Sequence, residues 1–273
     1  MIKINAQQYV RLLERAAAGK VAKCAYCGNE NRTVNDTWIC TICENINYAG
    51  TLSDPNLFPS LDHVNQLIDE RKYDEALAEY GKIMSQYNEP AYIYRYALLL
   101  MEQSNYEVER IRYDRQGFME ENAAHREKAS VLYSKSKRIM SKALVICDDE
   151  IKNVGGNQFL TYTMFILAIK LGKPKTAKRA IELQGRYSTP SIVAYENMVL
   201  SAELDSPQDT AKSAAALLAS MSFPLNAFYY LTWSLVKTGQ YRDAAALSAR
   251  LSIYIQSSSL RALMQTIKAE QDV

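Results

Sequence analysis

Four of the five cysteines in this 273-residue chain fall within twenty positions, as Cys24-x2-Cys27-x12-Cys40-x2-Cys43. Two residues between thiols let one tight turn aim both sulfurs at a single ion, and two such turns on facing hairpins complete a tetrahedron. The spacing therefore predicts one structural zinc held by Cys24, Cys27, Cys40 and Cys43; the alternative for paired thiols is a redox dithiol. Four thiolates fill the coordination shell and leave no position for water, so such a site does not catalyse. Gly28, directly after the first pair, suits the positive φ of a knuckle turn. Asn45, two residues after the second pair, is the next most tolerant type there.

Strand-formers flank Asn35-Asp36 between the pairs: Arg32, Thr33 and Val34 before it, Thr37, Trp38 and Ile39 after it. Residues 20–48 thus resemble a zinc ribbon. So small a module has almost no core, and metal binding must supply its folding free energy, on the order of 10 kcal/mol or more. Zinc ribbons can bind nucleic acid, and Lys20, Lys23 and Arg32 beside exposed Tyr26 or Trp38 would offer a small phosphate and stacking surface. Glu30, Asp36 and Glu44 dilute it.

Other chemistry is scarce. The two histidines, His63 and His125, have no G-x-S-x-G or comparable nucleophile pattern near them. Gly155-Gly156 lacks the downstream Gly-Lys-Ser/Thr of a phosphate loop, and Cys147 falls at an inward helix position, as a small core residue does. No enzyme is expected. The net charge of +2 gives no bulk attraction to nucleic acid or anionic lipid. The greasiest stretch, Met164 to Ile169, is far short of the roughly 18 residues that span a bilayer. Arg11, Glu14 and Arg15 interrupt the start where a signal peptide needs an apolar run. A cytoplasmic protein is expected.

The elements that must carry the cysteines come next. Asn5 can cap a helix from about Ala6 to Ala18, ended by Gly19, giving an N-terminal helix over 1–19 before the ribbon over 20–48. Gly50, Pro55 and Pro59 mark a linker over 49–60. From there the chain repeats itself. The segments R-K-Y-D-E-A-L-A at 71–78, L-G-K-P-K-T-A-K at 171–178 and T-G-Q-Y-R-D-A-A at 238–245 share a turn followed by an aromatic or Pro, then Ala. Extending that register gives Ala76, Arg110, Ala143, Ala177, Ala211 and Ala244, at steps of 33 or 34. Pro90, Pro190 and Pro224 stand at or just before helix starts, where a missing N–H costs nothing.

This period is similar to that of tetratricopeptide (TPR) repeats. The resemblance rests on Tyr73 and Tyr241 opening second helices, turn glycines Gly172 and Gly239, and Tyr80. It implies a mostly α protein of antiparallel helix pairs, about six in number, stacked as an α-solenoid over 61–273. Ser257 to Ala269 would form a C-terminal capping helix. The register fits worst at 107–122, where Arg110, Asp114 and Gly117 take positions that should be buried.

In TPR proteins a concave surface lined by the first helix of each pair holds a peptide or partner helix. The matching positions here include Tyr92, Arg95, Lys128, Lys135, Tyr162, Lys170, Tyr229 and Trp233, with His125, Glu196 and Lys237. Residues 124–142 and 170–186 each carry a net charge of +5. The resemblance thus implies a non-catalytic scaffold or adaptor that binds a protein or acidic peptide in its groove, with the ribbon as a second docking module. The alternative is a nucleic-acid-associated protein using the ribbon and basic helices.

Overall fold

Twelve helices and four short strands are found in residues 6–33, 36–48, 60–111, 119–220, 225–255 and 258–271, the residues described by the structure, a computed structural model. Helix α1 (Ala6–Ala17) leads into two β-hairpins. Strands β1 (Lys20–Lys23) and β2 (Glu30–Thr33) pair antiparallel with Lys20 opposite Thr33, and β3 (Thr37–Ile39) and β4 (Ile46–Tyr48) pair with Thr37 opposite Tyr48. The linker expected over 49–60 falls, apart from its last residue, outside the described residues.

The remaining helices follow as hairpins. They are α2 (Asp62–Asp69) with α3 (Tyr73–Tyr87), α4 (Pro90–Glu109) with α5 (Met119–Asn153), α6 (Gln158–Lys170) with α7 (Pro174–Gln184), α8 (Pro190–Glu203) with α9 (Pro207–Ser220), and α10 (Leu225–Lys237) with α11 (Tyr241–Leu251); α12 (Ser258–Gln271) ends the series. Four of the five hairpins are closed by one turn. A left-handed residue (Arg71, φ 59°; Gly172, 64°; Asp205, 52°; Gly239, 74°) ends the first helix. The next N–H reaches back five residues: Lys72 to Leu67 (2.8 Å), Lys173 to Ala168 (2.8 Å), Ser206 to Ser201 (2.8 Å) and Gln240 to Leu235 (2.9 Å). This is the bond of a Schellman motif, which satisfies carbonyls left over at a helix end. Proline then starts α4, α7 and α8 at no cost in hydrogen bonds.

The second hairpin, α4 with α5, departs from the expected register. Turns at 172, 205 and 239 keep the period, and the turn at 71 lies three periods before 172. The two turns due near 105 and 138 do not form: Asn105 is inside α4, and Arg138 is inside the 35-residue α5. Neither Gly nor Pro occurs from Ala91 to Gln116 or from Phe118 to Val154, so no such residue breaks α4 near 105 or α5 near 138. Two expected repeats are drawn out into one long hairpin, giving five hairpins among the described residues where about six repeats were expected. Arg110 caps α4 instead of entering a second helix, which explains a charged residue in an alanine register. Asp114 and Gly117 lie outside the described residues. The other positions of that register, Ala76, Ala143, Ala177, Ala211 and Ala244, are all buried.

Each helix from α2 to α12 packs on its sequence neighbour, and the first helices of successive hairpins, α4, α6, α8 and α10, also touch in order. Helix α6 is the centre: every residue from Thr161 to Ala168 is buried, as expected of a helix apolar on nearly all sides. Helix α12 covers α10 and α11, and α1 packs on the same two helices. Tyr9 and Leu13 of α1, with Ile39 and Ile46 of the second β-hairpin, enter the core formed by α4 to α12. The four cysteines, Tyr26 and Trp38 join a second core with α2, α3 and α4. No helix of the described residues is long and apolar enough to cross a membrane.

Candidate metal centre

The two cysteine pairs sit on equivalent knuckles. In the first, Cys24 N–H donates to Asn29 O (3.0 Å) and Gly28 N–H to Cys24 O (2.8 Å); in the second, Cys40 N–H donates to Asn45 O (2.9 Å) and Glu44 N–H to Cys40 O (3.1 Å). The left-handed residues are Gly28 (φ 72°) and Glu44 (φ 57°). The sequence pointed to Asn45 for the second, but the turn places its positive φ directly after the pair, on Glu44.

All four sulfurs are buried and lie within 4.8 Å of one another, with Cys24 to Cys43 and Cys27 to Cys40 each 3.6 Å. A tetrahedron with metal–sulfur bonds of ~2.3 Å has edges of ~3.8 Å, so the cluster fits one metal ion. Burial pushes the Cys24 and Cys43 thiols well above their ordinary range, while hydrogen bonds from the other sulfurs hold Cys27 well below it. Deprotonated together in so small a buried space, the four sulfurs would need a cation to offset their charge. Cys147, by contrast, is isolated in the core, where burial pushes its thiol up to about 12.

The two knuckles lie against helices α2, α3, α4, α6 and α10. Tyr80 Oη donates to Tyr26 O (2.6 Å), Tyr92 Oη donates to Ala25 O (3.4 Å), and the Tyr26 and Tyr92 rings meet edge to face at 5.1 Å. Gly28 is so close to α2 that a Cβ there would stand 2.8 Å from Asn65 Nδ2 and 2.9 Å from Leu61 Cβ. On the other side, Asn226 Nδ2 of α10 donates to Cys40 O (3.3 Å), and Lys170 Nζ of α6 pairs with Glu44 at 2.7 Å. Burial disfavours the Lys170 charge, but Glu44 outweighs it and raises the ammonium pKa.

The residues assigned to a partner-binding groove are thus placed differently from one another. Tyr92 and Arg95 are buried beside the first knuckle, and Tyr162 is buried among Tyr94 and Tyr195. Lys170 is taken up by Glu44. Lys128 pairs with buried Glu107 (2.9 Å) and with Asp74 (3.7 Å), and His125 Nδ1 lies 2.6 Å from the same Glu107. Tyr229 and Trp233 are half-buried, with Lys237 Nζ 5.5 Å from the Trp233 ring centre. Lys135 is exposed on the outer side of α5. The chain's own β-hairpins cover Tyr92, Arg95 and Lys170. Tyr26 and Trp38, expected as exposed stacking faces, are only 8% and 5% exposed, because both rings are turned into the core shared with α2 to α4.

Two sets of side chains make contacts at this site that the sequence reading did not assign to them. Asn29, Asn31, Asn45 and Asn47 each donate a side-chain N–H to one sulfur: to Cys27 (3.5 Å), Cys40 (3.5 Å), Cys43 (3.5 Å) and Cys24 (3.4 Å) respectively. Their signal was a duplicated C-x-x-C-x-N-x-N, at 24–31 and 40–47. The second is Arg95, paired with Glu102 at 2.5 Å. Burial opposes its charge, but Glu102 and the Cys27 and Cys43 sulfurs more than offset that and raise its pKa. Comparison with family models, with curated proteins and with solved structures finds no match for this chain.

Proposed function

We propose that the protein is a non-catalytic interaction scaffold, a TPR-type α-solenoid whose concave face is filled by its own zinc ribbon and whose outward face on α5 receives an acidic helix of a partner protein. Zinc is the metal this donor set suits best, since four thiolates select a tetrahedral ion and leave no open position for chemistry. With the first helices covered by the ribbon, partner binding moves to what remains open.

The observation that carries this reading is a stripe along α5. Val131, Lys135, Arg138, Lys142 and Val145 follow one another at steps of four and three, so they share one face over ~21 Å of helix. All five are exposed, the valines by 61% and 58%, and no ion pair engages the three cations among the described residues. A valine at each end of an unpaired basic row suits a helix with carboxylates at the matching spacing and an apolar residue over each valine. The charges set orientation and on-rate, and the apolar ends supply buried area. The alternative nucleic-acid reading loses its stacking faces on the ribbon, because Tyr26 and Trp38 are turned inward.

The test is fluorescence anisotropy with three labelled probes: an acidic amphipathic peptide helix, single-stranded RNA and duplex DNA. Wild-type protein is expected to bind the peptide, and Lys135→Glu/Arg138→Glu/Lys142→Glu to lose at least tenfold in affinity with unchanged helical circular dichroism. Peptide binding that survives the triple reversal refutes the α5 surface. Preference for RNA or DNA, with a steep salt dependence, would favour the nucleic-acid alternative.

A further inference from the structure

The duplicated C-x-x-C-x-N-x-N places its asparagines with a two-fold regularity that exceeds what holding a turn requires. Asn29 and Asn45 serve their own knuckles. Asn31 and Asn47 cross over. Asn31 Oδ1 accepts from Thr41 N–H (2.7 Å), the residue after Cys40, while its Nδ2 donates to Cys40 Sγ (3.5 Å) and to Asn29 O (3.0 Å). Asn47 Oδ1 accepts from Ala25 N–H (3.0 Å), the residue after Cys24, while its Nδ2 donates to Cys24 Sγ (3.4 Å) and to Asn45 O (3.0 Å). Both side chains are buried, at 5% and 2% exposure.

The amide orientation follows from these bonds. A backbone N–H must meet an acceptor, so Oδ1 faces Thr41 or Ala25, and the two hydrogens on Nδ2 are left for the carbonyl and the sulfur. Each crossing asparagine thus ties its own hairpin to the partner knuckle through one bond to backbone and one to sulfur, and Asn31 Oδ1 also accepts from Thr41 Oγ1 (2.9 Å). Cys40 receives a further N–H from Ile42 at 3.4 Å. Every sulfur carries at least one donor.

We infer that Asn31 and Asn47 are the residues that join two equivalent half-sites into one metal site, and that with Asn29 and Asn45 they draw charge off the thiolates, making the centre a tight, chemically unreactive clamp. Resting on the metal reading above, the inference gives these carboxamides a positioning role. Donors around a ligand raise metal affinity by fixing ligand direction, and losing one such group typically costs 10- to 100-fold in affinity. A thiolate already accepting N–H bonds is also a poorer nucleophile, so the bound cysteines should resist alkylation and oxidation.

Asn47→Asp and Asn31→Asp test this, because each keeps the oxygen that accepts from Ala25 or Thr41 and replaces the N–H donor to the sulfur, and to Asn45 O or Asn29 O, with a second acceptor facing a thiolate. Zinc affinity of the full chain is measured by chelator competition, alongside the rate of cysteine alkylation at saturating zinc. Each variant is expected to lose 10- to 100-fold in affinity and to be alkylated faster, with the helical signal unchanged. Should either ribbon fail to form, Asn29→Ala serves, since Asn29 is only part-buried and bonds within its own knuckle. Its cobalt-loaded form is expected to show the sulfur-to-cobalt charge-transfer band shifted to lower energy. Affinity within twofold of wild type with unchanged alkylation in a folded Asp variant, or an unmoved cobalt band in Asn29→Ala, overturns the inference. Wild-type protein that binds no zinc overturns the metal reading instead.

Discussion

Gly28→Ala tests both the metal knuckle and its seat on the helices. Gly28 has φ 72°, which costs an L-residue about 1–2 kcal/mol. Its added methyl would also stand 2.9 Å from Leu61 Cβ and 2.8 Å from Asn65 Nδ2. The Asn65 amide can swing away. Leu61 Cβ is fixed to the backbone just before α2, and forcing a methyl against it costs about 1–3 kcal/mol, so the ribbon should lose about 2–5 kcal/mol in its docked, metal-bound state. The two parts separate experimentally. Strain in the knuckle weakens the metal site itself by about tenfold per 1.4 kcal/mol, while the clash acts only on docking. Trp38 and Trp233 are the only tryptophans, so a Trp233→Phe background leaves Trp38, 5% exposed at the ribbon seam, as the reporter. Zinc affinity by chelator competition reads the first part, and a red shift of Trp38 emission at saturating zinc reads the second. Chelation of the parent should produce the full red shift with most helical signal retained. A Gly28→Ala protein with affinity within twofold of the parent and unshifted emission would refute the docking geometry described here.

Tyr80→Phe removes the hydroxyl that donates to Tyr26 O at 2.6 Å and leaves a buried carbonyl without that bond. A loss of about 1–3 kcal/mol is expected in the urea transition followed by Trp38. Glu196 is fully buried on α8, neither carboxylate oxygen meets a donor among the described residues, and burial holds its carboxyl pKa well above the usual carboxylate range. An acid whose folded pKa is raised costs no stability below its unfolded pKa and destabilises progressively as pH rises toward the folded value. Glu196→Gln should therefore stabilise the protein at pH 8 relative to wild type and do so far less at pH 4.5, by paired urea midpoints at each pH. An equal effect at both would show that Glu196 is ionised in the fold.

What could be read from the residues was whatever depends on near neighbours in the chain. Thiols with two residues between them announce a knuckle, because one turn brings them together regardless of the rest. Gly172 and Gly239 announce hairpin turns, because few other residues take a left-handed backbone cheaply. The same logic misled where the left-handed residue is not the one expected, as at Glu44, or where a period continues in the sequence although the helix runs on, as at Asn105 and Arg138. The asparagine pairs were visible as a duplicated motif, yet their bonds cross from one knuckle to the other. Which surface stays open was decided only by the tertiary structure. Tyr92 looks like a groove residue until Ala25 O, 67 positions earlier, is brought to its hydroxyl. Such contacts depend on how two separately formed modules fit, a matter of shape and paired polar groups that no local spacing records. The same fit turned Arg95 and Lys170 inward and left Lys135 on the outside of α5.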